Sequence, residues 1–313
     1  SLKWLRGYLN ADPRPELGNA SGGSYGSNLR SPSRGDFFCL VNLDGQYFVW
    51  PRRYEMEDPL VIAGKEFSSR LMVGTGRHRT MQEMIDSVRA SGTQIITVAI
   101  GRLNLQDINE KTILDYFNWD NYTILPNTAG SKTSEEAVLT ARLAREVTGS
   151  SWIKLEVIPD ISHLLPDPIG TYDAARELVD DGFDVLPYIH ADPVLAHRLA
   201  ELGCATVMPL GSTIGSGQGI LTMEEIEMII SDVEVPVVVD AGLAVPSDAS
   251  KALEAGADAV LVNTAIAQAN DPVAMGESFK LGVAAGRKAF LAGRIDRRKS
   301  AISSSPGAGV NSG

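Results

Sequence analysis

The 313-residue chain has only two cysteines, Cys39 and Cys204, with no CxxC and no Cys/His cluster. That argues against a disulfide scaffold and a structural zinc, and it fits a reducing, cytoplasmic compartment. Histidine is equally scarce: His78, His163, His190 and His197 share no metal-ligand spacing, so no metal is expected. His197 reads as a solvated helix residue, whereas His190 could border a site mouth. No apolar run reaches the ~18 residues of a membrane span, and the start lacks the charged-then-apolar pattern of a secretory signal. Positive charge is in the minority, with 28 Lys+Arg against 39 Asp+Glu and a formal charge of -11. Such a surface repels a phosphate backbone, which disfavours nucleic acid as a partner. Also missing is the third glycine of a dinucleotide fingerprint, since Gly74-Thr75-Gly76-Arg77-His78-Arg79 stops short of it. Without that motif no cofactor is implied, and a six-stranded doubly wound sheet loses its main support.

Hydrophobic residues at 44% and charged residues at 21% are ordinary globular usage, so most of the chain can bury a core. At ~150 residues per domain the length suggests two domains, but a single α/β barrel of ~250 residues with a remainder fits as well. Residues 1–35 hold six Gly, six Ser and three Pro, too little apolar surface to fold alone, and read as a mobile arm. Two β-rich runs, Phe37–Leu43 and Gln46–Trp50, flank Asp44-Gly45, a dipeptide suited to a type I′ turn, so a hairpin is expected over 37–50.

From Arg70 onward, short β-branched runs alternate with helical stretches of ~10 to 15 residues, the signature of repeated βα units around a parallel sheet. The runs are Leu71–Gly74, Ile95–Ile100, Thr123–Pro126, Ile153–Ile158, Asp184–Ile189, Thr206–Leu210, Val235–Asp240 and Ala259–Asn263. Amphipathic stretches lie between them at Ser134–Val147, Thr171–Asp181, Met223–Ser231 and Ser247–Ala255. Ser134 and Ser247 are placed as N-caps and Gly256 as a C-cap. Eight units close a (β/α)8 TIM barrel. The expected organisation is an N-terminal extension over 1–59, a barrel over 60–294 and a flexible tail over 295–313.

Barrels of this kind carry function at the C-terminal ends of their strands. In the fourth strand, alternation puts Lys154 and Glu156 on one face and Ile153, Leu155 and Val157 on the other. If the apolar residues face the helices, two ionisable groups point into the barrel, at several kcal/mol unless they pair or do chemistry. A buried structural ion pair is one reading. The other is a Schiff-base lysine: desolvation lowers an amine pKa, and a neutral amine attacks a ketone. A carboxylate beside it pulls the pKa the other way, so Glu156 is cast as the group that moves protons, and Asp240 at the end of the seventh strand is a second proton carrier or else a loop-bracing cap.

The segment Gly211–Gly219 holds four glycines in nine residues after the sixth strand, and Val262-Asn263-Thr264-Ala265 ends the eighth. Bare amides in such a loop can wrap a phosphate, and the last strand ends of these barrels commonly form a phosphate site. Together they point to a phosphorylated small molecule. Asn127-Thr128-Ala129-Gly130 after the third strand is a substrate contact or a loop with a helix start.

Lys154-Leu155-Glu156-Val157-Ile158, Leu125–Gly130, Asp184–Tyr188, Val207–Ser212 with Ile214–Gly217, Val239–Gly242 and Asn263–Ala267 resemble, in that order, bacterial thiazole synthase of thiamin biosynthesis. The resemblance runs from Leu60 to Arg294. It implies a transferase in which Lys154 forms an imine with 1-deoxy-D-xylulose 5-phosphate and Glu156 and Asp240 shuttle protons. It further implies that Gly215, Ala241, Gly242, Asn263 and Thr264 hold the sugar phosphate. The other reactants it implies are dehydroglycine and a sulfur delivered as the C-terminal thiocarboxylate of a small carrier protein. A dehydroglycine-producing enzyme and a homo-oligomer are implied as associations. The family has paired arginines before an Asn-Leu where this chain reads Ile100-Gly101-Arg102-Leu103-Asn104-Leu105, a change that bears on an anionic contact or a subunit interface. An aldolase-like barrel enzyme acting on a sugar phosphate and a non-catalytic carrier-binding scaffold are the competing functions.

Overall fold

The computed structural model describes residues 37–41, 47–51, 58–102, 112–298 and 300–302. The described residues fall into two units that divide between Glu57 and Asp58. In the first, β1 (Phe37–Val41) and β2 (Tyr47–Pro51) pair antiparallel. Val41 pairs with Tyr47, where a two-residue turn at Asp44-Gly45 would pair it with Phe48. Asp44 and Gly45 lie outside the described residues, as do the arm before Phe37 and the end of the tail.

The second unit begins with a small antiparallel hairpin, β3 (Leu60–Ile62) and β4 (Lys65–Phe67). Eight parallel strands follow: β5 (Leu71–Gly74), β6 (Ile95–Ala99), β7 (Thr123–Asn127), β8 (Trp152–Leu155), β9 (Asp184–Ile189), β10 (Met208–Pro209), β11 (Val238–Asp240) and β12 (Ala259–Val262). Their spatial order is β10-β9-β8-β7-β6-β5-β12-β11. Two isolated parallel bridges, Val207↔Val237 and Leu210↔Asp240, join the two ends of that order and close a (β/α)8 barrel. Helices α1 (Met81–Ser91), α2 (Ser134–Thr148), α3 (Pro168–Asp180), α4 (Pro193–Leu202), α5 (Met223–Asp232), α6 (Pro246–Ala255), α7 (Thr264–Ala267) and α8 (Pro272–Ala292) cover it. No helix among the described residues is long and apolar enough to cross a membrane.

Strand alternation sorts the core into two layers. Val73, Ile96, Val98, Ile153, Leu155 and Val185 face the helices. Met72, Ile95, Leu125, Trp152, Leu186, Met208 and Val238 fill the barrel, and the hairpin adds Leu60, Ile62 and Phe67 to that cluster as a plug at the strands' N-terminal end. Phe67 meets Trp152 edge to face at 5.8 Å. The barrel interior is therefore filled at that end, and the larger cavity lies at the opposite one.

The sixth and seventh strands are shorter than expected from the sequence, because Pro209 and Pro236 have no N–H for a ladder. The fourth stops at Leu155 instead of reaching Ile158. Thr133, not Ser134, caps α2 by accepting from the Glu136 amide. Ser247 does not cap α6 either: Pro246 occupies the first turn, and the Asp248 carboxylate accepts from the Ala244 and Val245 amides. Gly256, at φ 107°, takes the left-handed C-cap expected of it.

Candidate active site

Inward alternation continues past the apolar layers into a polar one. Thr97, Asn127, Lys154, Glu156 and Asp240 are all buried and line one cavity of about 1260 Å³ at the C-terminal end of the strands. Lys154 Nζ lies 2.5 Å from Asp240 Oδ2 and 3.2 Å from Glu156 Oε1, with all three side chains at most 7% exposed. The lysine is thus held between two carboxylates, one from its own strand and one from across the barrel.

Two opposing influences act on the Lys154 amine. Burial by itself would lower the Lys154 pKa. The charges of Asp240 and then Glu156, with their hydrogen bonds, outweigh it and hold the amine above the ordinary lysine range. The flanking carboxylates therefore favour the ammonium form of Lys154 over the free amine that desolvation alone would favour.

Beyond the end of β8, Glu156 is fixed from the loop after β7, where sequence alone leaves Thr128 without a role. The fully buried Thr128 hydroxyl donates to the Glu156 carbonyl at 2.7 Å and accepts from its amide at 2.8 Å. One side chain therefore replaces a pair of ladder bonds. Asn127 stands opposite Lys154 in register, its Nδ2 donating to Thr97 Oγ1 and its Oδ1 accepting from the Ala129 amide.

Gly215, Ala241, Gly242, Asn263 and Thr264 all line the same cavity. Ala241 and Gly242 are consecutive left-handed residues, at φ 63° and 78°. A Cβ on Gly242 would overlap the Ser212 hydroxyl and lie 2.7 Å from its amide nitrogen, so glycine is required where the two loops touch. Gly215 faces Thr264 across the cavity rim, where a Cβ would lie 3.9 Å from Thr264 Oγ1. Asn263 differs in kind: its side-chain nitrogen donates to the carbonyls of Gly76 at 2.8 Å and Gly74 at 3.3 Å. Its side chain braces the loop after β5.

The loop after β8 carries Ile161 and Leu164 to the cavity edge, and Leu164 adopts a left-handed φ of 54°. His190 is exposed and is not among the lining residues, whereas His78 lines the cavity with its Nε2 2.9 Å from Ser87 Oγ. Burial lowers the His78 pKa. His197 sits on the surface beside Asp232 and Glu201. Among the described residues no group of three His, Cys, Asp or Glu side chains could hold a metal ion. Gly101 begins the stretch where the arginine pair differs, and Leu103, Asn104 and Leu105 lie outside the described residues.

Fold and site together define a barrel enzyme with a lysine clamped between two acids beneath a glycine-lined rim. The family model for thiazole biosynthesis protein ThiG matches residues 61–306. A thiazole synthase of Prochlorococcus marinus strain MIT 9301 is 54% identical over 253 residues, covering 79% of this chain and 96% of that protein. The bifunctional protein ThiO/ThiG of Nostoc sp. strain PCC 7120 is 51% identical over 261 residues, covering 82% of this chain and 40% of that one. The crystal structure of the Amycolatopsis orientalis BexX/CysO complex aligns with a TM-score of 0.70 at 30% identity, over 77% of this chain and 99% of that one. The chain belongs to the ThiG family, the thiazole synthases of thiamin biosynthesis.

Proposed function

We propose that the chain builds its thiazole through an imine between Lys154 and the ketone of 1-deoxy-D-xylulose 5-phosphate. The observation that carries this is the clamp, with Lys154 Nζ within 2.5 Å of Asp240 and 3.2 Å of Glu156. An ammonium cannot attack a carbonyl, and the nearer carboxylate is placed to take its proton as the ketose arrives. The neutral amine then adds to the carbonyl carbon. The carbinolamine loses its hydroxyl as water, with the proton returned from a carboxylate, and the C=N bond forms. The resulting iminium acidifies the adjacent C–H, and the second carboxylate removes that proton. Two acids flanking one amine supply both transfers without rearrangement.

The phosphate lies on the backbone amides of Gly215, Ala241 and Gly242 with the Thr264 hydroxyl, while Asn263 acts through the loop it braces. Dehydroglycine and the carrier's thiocarboxylate enter from the side of Ile161 and Leu164. The neighbour crystallised as BexX/CysO supports a second protein docking on this fold, and the fused Nostoc relative supports an association with a partner enzyme. Exposed Leu139, Leu143 and Ile169 on α2 and α3 support self-association of the barrel, taken as residues 60–294. Borohydride added with deoxyxylulose phosphate is expected to leave the reduced ketose on Lys154 and nowhere else. An adduct at another lysine, or carbon–carbon cleavage that needs no carrier, would replace this reading with an aldolase-like one.

A further inference from the structure

We propose that Tyr188 is a positioning residue of this reaction, its hydroxyl donating to Glu156 or Asp240 once Lys154 has become an imine. The inference rests on the imine reading above. Tyr188 points into the barrel from β9, fully buried, with its ring 5.5 Å from Lys154 Nζ. Leu155 pairs with Pro187, so the next step along both strands sets Tyr188 beside Glu156. Its hydroxyl has no hydrogen-bond partner. A buried hydroxyl left unsatisfied costs roughly 1–3 kcal/mol. Such a group in the layer that does the chemistry calls for a use.

The charges that face the ring are Lys154, Glu156 and Asp240. Ile158 and Leu210, with Leu164, Leu165, Ile214 and Ala241, form the apolar part of its surroundings. Burial, and then Asp240 and Glu156, push the phenol well above its ordinary pKa, so it stays protonated and serves as a donor.

Donor counting supplies the use. An ammonium has three N–H bonds, and at rest Lys154 Nζ stands 3.2 Å from Glu156 Oε1 and 2.5 Å from Asp240 Oδ2, an oxygen with no other hydrogen-bond partner. An iminium nitrogen keeps one N–H and a neutral imine none. One buried carboxylate therefore loses its donor just when it must act as a base. Tyr188 supplies an orphaned O–H in the same buried layer, with its ring 5.5 Å from Lys154 Nζ, and meets the carboxylate once that side chain leaves the lysine.

The test compares wild type, Tyr188→Phe and Tyr188→Leu, each assayed for turnover against pH and for the borohydride adduct on Lys154. Tyr188→Phe is expected to melt no lower than wild type, since it deletes an unsatisfied group. Its turnover should fall at least tenfold at neutral pH. A carboxylate without its donor holds a proton more tightly, so the acid limb of kcat should move up by about one pH unit. Equal losses in both variants assign the effect to the hydroxyl. A loss confined to Tyr188→Leu, or Tyr188→Phe within twofold of wild type with an unmoved limb, overturns the inference. Absence of the adduct in wild type overturns the imine reading instead.

Discussion

Lys154 carries opposite influences, and the structure shows which wins. The sequence placed Lys154 and Glu156 on one inward face, and alternation alone was enough for that. The distance from Asp240 could not be read, because it depends on barrel closure, which brings the seventh strand across from the fourth. Thr128 was named only within a polar loop, since nothing local marks a hydroxyl that will bridge to another strand. Its contribution is measurable. Thr128→Val keeps the shape and deletes both bonds to the Glu156 backbone, a loss of about 1–3 kcal/mol of stability. Turnover should fall further than that stability loss explains, because Glu156 is then free to swing from Lys154. Thr128→Ser, which restores the hydroxyl, should recover most of the rate, and a Ser variant as slow as Val would show that the bonds do not position Glu156.

At the level of elements, the eight strands and four of the eight helices were legible from runs of β-branched residues and 3.6-residue periodicity. The errors cluster where proline or a neighbour's carboxylate intervenes. Pro209 shortens β10, and Pro246 with Asp248 starts α6 ahead of Ser247. The glycine-rich segment could not be told from a plain connector by composition. What distinguishes it is contact, with the Gly219 amide donating to the Gly242 carbonyl and the Ser212 hydroxyl to the Gly219 carbonyl. Gly242→Ala adds a Cβ at φ 78° against Ser212, so urea unfolding should show a loss of about 2–4 kcal/mol from strain and overpacking together. Affinity for inorganic phosphate should fall in the same variant. Unchanged stability would mean that the two loops part without cost.

Across the whole molecule, polar chemistry and structural charge sit at opposite ends of the barrel. Near the plugged end, Asp58 takes two hydrogen bonds from Arg287, at 2.7 and 2.8 Å, and an ion pair from Arg70 at 3.0 Å. The Arg287 hydrogen bonds, aided by the charges of Arg70 and Arg287, outweigh burial and hold the Asp58 pKa below its ordinary 3.8. A carboxylate depressed in the folded state stabilises above its unfolded pKa and loses that stabilisation as pH falls through the folded value. Arg287→Gln should therefore be less stable at neutral pH. It should also lose less than wild type on acidification below 3.8, which thermal melts across pH would register. Parallel curves for the two proteins would remove Asp58 from the acid response.

The barrel is a cylinder with one thin stave. Between β10 and β11 closure rests on bridges on either side of Pro209, with Val238 donating to Val207 and Gly211 to Asp240. Asp240 and the glycine-rich segment flank that joint, so the acid, the proposed phosphate rim and a seam held by isolated bridges are one place. A ligand that spans Lys154, Asp240 and Gly215 then acts as a rivet. Filling the site fastens the cylinder at that joint, so occupancy and resistance to opening rise together.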